Sequence, residues 1–461
     1  MNTSSESALA TAIDRQLTLF LSGTTLPLQH RREALLRLRN SIVQHETDII
    51  TALQADLHKA AFEAYTTEIG MVLGEIGHLL HMGKRMVKPQ RVARNLFTIN
   101  ARSRILYEPY GQTLIVSPWN YPFHLALLPV AGAIASGNVV VLKVSPSAPA
   151  TNRVMRTIIS EAFPNEEVLL VEGHRDVNTW LFARRWNHIF LTGSPELGKV
   201  AMASAAQHLT PVTLELGGKS PCIVDETADI DLAARRITYG KLVNAGQTCI
   251  APDYLLVHPS VKQPLVEAMK HYATQFYGND LLTSEQYPHI ITDEAMTRLV
   301  SYVEENRSRI IFGGRYDRDT RAMELTLIDG MTGALEHREI FGPIMPVCTF
   351  DHIDEVIELL QQREKPLALY YFSTDKQRIR HLLRRTTSGG ACINETLMHV
   401  TNSHVPFGGV ENSGLGGYHG KYSFEAFSHK RAVLHYGRTD FLFKYPPYTS
   451  RWMKLVKRIM K

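Results

Sequence analysis

The chain has 461 residues, 44% of them hydrophobic and 21% charged, with a formal net charge of +5. That length predicts two or three domains rather than a single core, in a globular protein. No long Lys/Arg block interleaves with aromatics, which argues against a nucleic-acid partner. Four unevenly spaced cysteines, with no CxxC pair and no HExxH, argue against a disulfide framework or a metal site and fit a reducing compartment, the cytoplasm.

The start, Met1-Asn2-Thr3-Ser4-Ser5-Glu6-Ser7, lacks the basic and apolar regions of a signal peptide. Residues 30 to 88 carry helical periodicity, with Ala34, Leu35, Leu38 and Ile42 on one face. A polar segment, Arg91 to Arg104, reads as a hairpin arm. Between 110 and 225, short β-rich runs alternate with helix-like segments: Thr113 to Val116, Val139 to Val144, Val168 to Val171, His188 to Thr192 and Val212 to Leu216. That alternation predicts an α/β fold with a parallel sheet covered by helices. A second series follows, with strands near Tyr254 to His258, Leu367 to Phe372 and Gly390 to Ile393. The uncharged stretch from Trp119 to Leu142 is broken by Pro122, Pro129, Gly132, Gly137 and Asn138. It reads as helix, turn and buried strand, not a membrane span.

Several motifs sit at predicted strand ends. Asn120, in Ser117-Pro118-Trp119-Asn120-Tyr121-Pro122, is flanked by prolines that would hold it stiffly, and its amide is a neutral donor suited to an oxyanion. Lys143 ends a strongly apolar strand, where open α/β sheets bind ligands. Thr192-Gly193-Ser194-Pro195 leads a strand into a helix whose N-terminal amides could meet a phosphate. The run resembles a Walker A loop, but Val200 replaces the hydroxyl residue such a loop needs for magnesium. Glu215 opens Glu215-Leu216-Gly217-Gly218-Lys219, and Cys249 closes Gly246-Gln247-Thr248-Cys249, a loop rather than a strand context. Glu339-Ile340-Phe341-Gly342-Pro343 could hold a ribose hydroxyl beside a packed ring, and Pro406-Phe407-Gly408-Gly409 is a turn. Each motif alone also fits an ordinary turn or core residue.

Together and in this order, the motifs resemble the aldehyde dehydrogenase superfamily over nearly the whole chain. The run from Asn412 to Gly420 and the ending Lys444-Tyr445-Pro446-Pro447-Tyr448 resemble its class 3 branch, typically dimeric and acting on medium- and long-chain aliphatic and aromatic aldehydes. The resemblance implies a Rossmann-type cofactor domain (1–90 and 107–218), an α/β catalytic domain (219–410), a small β arm for oligomerisation (91–106 and 426–445) and a tail (446–461). It implies Cys249 as nucleophile, Glu215 as hydrolytic base and Asn120 as oxyanion donor. Lys143, Gly193, Ser194, Glu339, Phe341 and Trp119 would hold NAD or NADP. The expected reaction is oxidation of an aldehyde to its acid through a cysteine thiohemiacetal and a thioester, in a homodimer. A dehydrogenase for semialdehydes or phosphorylated aldehydes is the alternative within enzymes; a catalytically silent relative is the other class.

Two departures qualify the resemblance. Many NAD-preferring members carry a glutamate three residues after the cofactor lysine; Pro146 stands there, which implies tolerance of NADP as well as NAD. Some members place a relay glutamate where Tyr418-His419-Gly420 stands, and this run has no acid. In the tail, Trp452, Leu455, Val456 and Ile459 share a helix face, with Arg451, Lys454, Lys457, Arg458 and Lys461 on the rest. Two readings stay open: a helix packed on the body or a partner subunit, and an interfacial helix touching a membrane surface.

Overall fold

The computed structural model describes residues 3–441 and 444–460. Met1, Asn2, Leu442, Phe443 and Lys461, the last a member of the basic tail, lie outside the described residues.

Two large sheets organise the chain. The first has six strands, ordered Gly414–Leu415, Val212–Glu215, His188–Thr192, Gln112–Val116, Val139–Lys143 and Val168–Val171. All neighbours are parallel except Gly414–Leu415, which runs antiparallel to Val212–Glu215. Val139–Lys143 is buried along its whole length, as a β-branched-rich run with a parallel neighbour on each side must be. Strand order reverses between Gln112–Val116 and His188–Thr192. The carboxyl ends at such a reversal open a crevice for ligands.

The second sheet has seven strands: Ile310–Phe312, Thr326–Asp329, Ile344–Thr349, Tyr254–Val257, Pro221–Val224, Ala368–Phe372 and Gly390–Ile393. Only the first pairing is antiparallel. The strands read from the sequence all form. Pro221–Val224, Thr326–Asp329 and Ile344–Thr349 were not among them. The hairpin arm also forms: Gln90–Arg91 pairs antiparallel with Ala101–Pro109, which pairs on its other side with Ser428–Tyr436.

The helical stretch before the first sheet divides into Leu28–Gln44, Glu46–Leu57 and Gly70–Met86. Ala34, Leu35, Leu38 and Ile42 are its buried face, as the periodicity predicts. A π turn, Tyr65–Ile69, precedes the last of these helices. The Trp119 to Leu142 stretch gives a fully buried helix, His124–Ser136, then left-handed Gly137 at φ +93° and the strand Val139–Lys143. The glycine lets the helix stop abruptly, since a Cβ is strained there. Among the described residues, no helix is long and apolar enough to cross a membrane.

Candidate active site

The carboxyl ends of the first sheet face residues sent across from the second. Val116 leads into Asn120, Thr192 into Gly193 and Ser194, and the strand Val212–Glu215 ends on Glu215. Cys249 follows the turn Val243–Gly246, and Glu339 and Phe341 precede the strand Ile344–Thr349. These residues line one cavity of about 220 Å³ with Trp119, Pro118, Leu125, Leu216 and Arg298. Of the sequence-derived candidates, only Lys143 is absent from its walls; it ends a strand two places from His188–Thr192.

The turn before Cys249 is unusual. Asn244, Ala245 and Gly246 are all left-handed, at φ +54°, +51° and +73°. Two consecutive non-glycine residues in that region cost energy and persist only where contacts over-determine them. The contacts are present. Asn244 N–H donates to Glu63 Oε1 at 2.8 Å. Asn244 Nδ2 donates to the Asn120 carbonyl at 2.7 Å and to the Gln247 carbonyl at 3.1 Å. The Gln247 side chain, fully buried, donates to the carbonyls of Asn244 (3.1 Å) and His289 (3.0 Å) and accepts Ile291 N–H at 3.0 Å.

Asn120 joins the same lattice. Its Nδ2 donates one hydrogen to the Gln247 carbonyl at 3.0 Å, two residues before Cys249. An amide nitrogen carries two hydrogens, so one more can be aimed at a ligand. The Tyr121 and Thr248 hydroxyls meet at 2.6 Å, tying the two loops together again. Cys249 is partly exposed to the cavity. Burial raises its thiol pKa, as do the carboxyls of Glu339 and Glu215, while its own N–H and that of Ile250 pull the other way.

Glu215 differs from all of these. It is 2% exposed, and neither carboxyl oxygen has a hydrogen-bond partner among the described residues. Burial alone raises its pKa well above the ordinary carboxylate range. Its backbone, by contrast, is fixed: the Glu215 carbonyl accepts Gly193 N–H at 3.0 Å.

A larger cleft of about 1010 Å³ adjoins the cavity and shares Ser194, Arg298 and Glu339 with it. A dinucleotide suits the residues present. Ser194 caps the helix Pro195–Ala206, accepting Leu197 N–H, so the helix N-terminus lies at the junction of the two spaces. The Glu339 carboxylate rests on Gly217, where a Cβ would lie 2.2 Å from Oε2. Gly218 N–H donates to it, yet burial and nearby Asp253 raise its pKa to about 8. Phe341, itself left-handed at φ +51°, meets the Trp119 ring edge-on at 5.4 Å. Lys143 is buried, which lowers its pKa to about 8 against the pull of Asp176.

Sequence reading missed Arg298, whose Nη1 donates to the Ile340 carbonyl at 2.7 Å, and the buried Lys59 and Glu68 with half-buried Glu63 behind Asn120 and Asn244. The one available signal was charge at Lys59, Glu63 and Glu68 within an otherwise apolar-faced helical stretch.

Residues 2–433 match the sequence model of the aldehyde dehydrogenase family. The chain is 41% identical over 445 residues to the 4,4'-diaponeurosporen-aldehyde dehydrogenase of Staphylococcus aureus, covering 96% of this chain and 97% of that one. It is 42% identical over 430 residues to a canine aldehyde dehydrogenase described as dimeric and NADP-preferring, covering 93% and 94%. A solved substrate-bound state of Staphylococcus aureus AldH superposes with a TM-score of 0.96 at 40% identity, covering all of both chains.

Proposed function

The chain belongs to the aldehyde dehydrogenase family and oxidises aldehydes with NAD(P), and from that premise we propose the following division of labour. Cys249 attacks the aldehyde carbon as thiolate. The Asn120 amide and the Cys249 N–H hold the resulting oxyanion, each such donor contributing roughly 10²–10³ in rate. NAD(P), held by this chain's cofactor residues, would supply the hydride acceptor, and Cys249 keeps the acyl group as a thioester. Glu215 then takes a proton from water, which releases the carboxylic acid. A buried carboxyl with a raised pKa is a serviceable base near neutrality. Lys143 and Glu339 bind ribose hydroxyls, Gly193 and Ser194 meet the pyrophosphate, and Phe341 with Trp119 buttresses the nicotinamide end.

The observation that carries this reading is the gathering of Cys249, Asn120, Glu215, Gly193, Ser194 and Glu339 around one cavity. Pre-steady-state NADH formation by Glu215→Gln tests it. A retained burst with steady turnover lowered roughly 10²–10⁴-fold is expected. Undiminished turnover with cofactor bound would remove Glu215 as the deacylation base.

Medium- and long-chain or aromatic aldehydes are the proposed substrates. Pro118, Trp119, Leu125, Leu216 and Phe341 make the cavity walls largely apolar. Arg298 is the one arginine in those walls among the described residues, and it is already bonded to the Ile340 carbonyl, which disfavours anionic semialdehydes. The Staphylococcus relative named for a diaponeurosporen-aldehyde supports the same choice. Pro146, in place of a ribose-gripping carboxylate, supports use of both NAD and NADP. Comparable turnover with the two is expected; undetectable NADP activity would reject it.

The domain plan proposed is a cofactor domain (1–90, 107–218), a catalytic domain (219–410), an arm (91–106, 426–445) and a tail (446–461), in a cytoplasmic homodimer. The arm supports dimerisation: Ser428–Tyr436 is an edge strand with exposed side chains. Light scattering giving a monomer would reject it. In the tail helix Ser450–Ile459 no residue is buried, although Trp452, Leu455, Val456 and Ile459 share one face. Two readings remain for this face: packing on a partner subunit, and contact with a membrane surface. Equal pelleting of intact and tail-deleted protein with liposomes would end the membrane reading.

A further inference from the structure

Lys59 and Glu68 form an ion pair at 2.6 Å with both side chains fully buried. Neither lines the cavity around Cys249. Two buried charges are an expensive way to hold helices together. Apolar residues of similar volume often serve stability as well or better. What apolar residues cannot do is fix the position of particular N–H and carbonyl groups.

We propose that Lys59 and Glu68 are positioning residues that hold the Asn120 amide where it meets the reacting oxygen. The inference rests on the reading of Asn120 as oxyanion donor. The pair grips the segment from Asn120 to His124 at four points. Lys59 Nζ donates to the Asn120 carbonyl at 3.4 Å. It also stands 4.1 Å above the Tyr121 ring, a cation over a π face. Glu68 Oε1 neutralises Lys59, and Glu68 Oε2 accepts Phe123 N–H at 3.1 Å and His124 N–H at 2.9 Å. Those last two amides open the buried helix His124–Ser136, where a carboxylate also complements the helix dipole.

The local backbone fits this purpose. Glu68 lies in the π turn Tyr65–Ile69, a form that is rare and appears mostly as single turns at functional sites. The Asn120 carbonyl that Lys59 reaches also accepts Asn244 Nδ2, from the strained turn before Cys249. Donor and nucleophile are therefore referenced to one carbonyl group. A donor misplaced by about 1 Å costs up to roughly 10²-fold in rate.

The test is a double-mutant cycle read on the burst of NADH formation. Lys59→Met in the native sequence is expected to slow the burst roughly 10–100-fold, with the cofactor dissociation constant, followed by protein fluorescence, within twofold of the parent. In an Asn120→Ala background the same change should slow it less than about threefold, because the group it positions is gone. Equal loss in both backgrounds would overturn the positioning role and leave the oxyanion reading standing. An Asn120→Ala burst as fast as the parent's would overturn the oxyanion reading and the positioning role with it. Should Lys59→Met not fold, Lys59→Met with Glu68→Gln removes both charges and is read in the same two backgrounds against the same limits.

Discussion

The two sides of the Cys249 cavity are built on opposite terms. On the Asn120 side, Asn120, Asn244 and Gln247 hydrogen-bond one another and the backbone, and strained φ angles are held in place by those bonds. On the Glu215 side, a carboxyl is buried with no partner on either oxygen among the described residues. The difference follows from the tasks. A group that stabilises developing charge works best when it need not reorganise. A base must change protonation state, and a carboxylate locked by several donors would be too weak an acid-base partner near pH 7. Rigidity on one side and an uncommitted carboxyl on the other are therefore parts of one design.

The contrast breaks first at Asn120. Asn120→Ala should slow the NADH burst roughly 10²–10³-fold, with steady turnover falling alongside. Asn120→Asp is nearly isosteric and should do no better. It would place carboxylate oxygens where Asn120 Nδ2 now donates to the Gln247 carbonyl. An Asp variant close to wild type would show that shape, not donation, matters at this position.

Gln247 sharpens the same side through stability. Its side chain satisfies two carbonyls and one N–H, all with the side chain fully buried. Gln247→Leu keeps the size but leaves those groups without partners, at about 1–3 kcal/mol for an orphaned group. Urea unfolding should shift accordingly. A shift under about 0.5 kcal/mol, the usual range for surface changes, would mean the turn holds itself.

How much of this was legible in the sequence depends on reach. Asn120, Glu215 and Cys249 stood out because each sits in a short motif of turn residues at a strand end, and the cavity does gather them. The strand Val139–Lys143 was legible from its apolar run. Ile344–Thr349 was not, because Pro346 lies within it and a proline argues against a central strand. Lys59, Glu63 and Glu68 were hidden for another reason. Their partners, Asn120, Asn244, Phe123 and His124, are distant in sequence, and no local pattern encodes a contact of that kind.

Gly217 offers a smaller perturbation at the edge of the site. Its missing side chain lets the Glu339 carboxylate lie against the backbone, where a Cβ would come within 2.2 Å. Gly217→Ala must displace that carboxylate. Loss of one hydrogen bond to a ribose hydroxyl predicts roughly tenfold weaker NAD(P) binding, with alkylation of Cys249 by iodoacetamide little changed. Unaltered cofactor affinity would detach Glu339 from cofactor binding.

The smallest effect tests the uncommitted carboxyl itself, through stability rather than rate. Glu215 has its pKa raised in the folded state by burial. The folded protein therefore holds this proton at pH values where the unfolded chain, titrating near 4.3, has lost it. Stability falls as pH rises whenever the folded state binds more protons, by at most about 1.4 kcal/mol per pH unit for one group. Glu215→Gln cannot ionise and escapes that penalty. Its unfolding free energy minus that of the parent should grow as pH rises from about 4.3 towards neutrality, even as turnover is lost. A difference that stays flat across that range would mean the Glu215 carboxyl finds partners in solution. The contrast between the two sides of the cavity would then be one of degree.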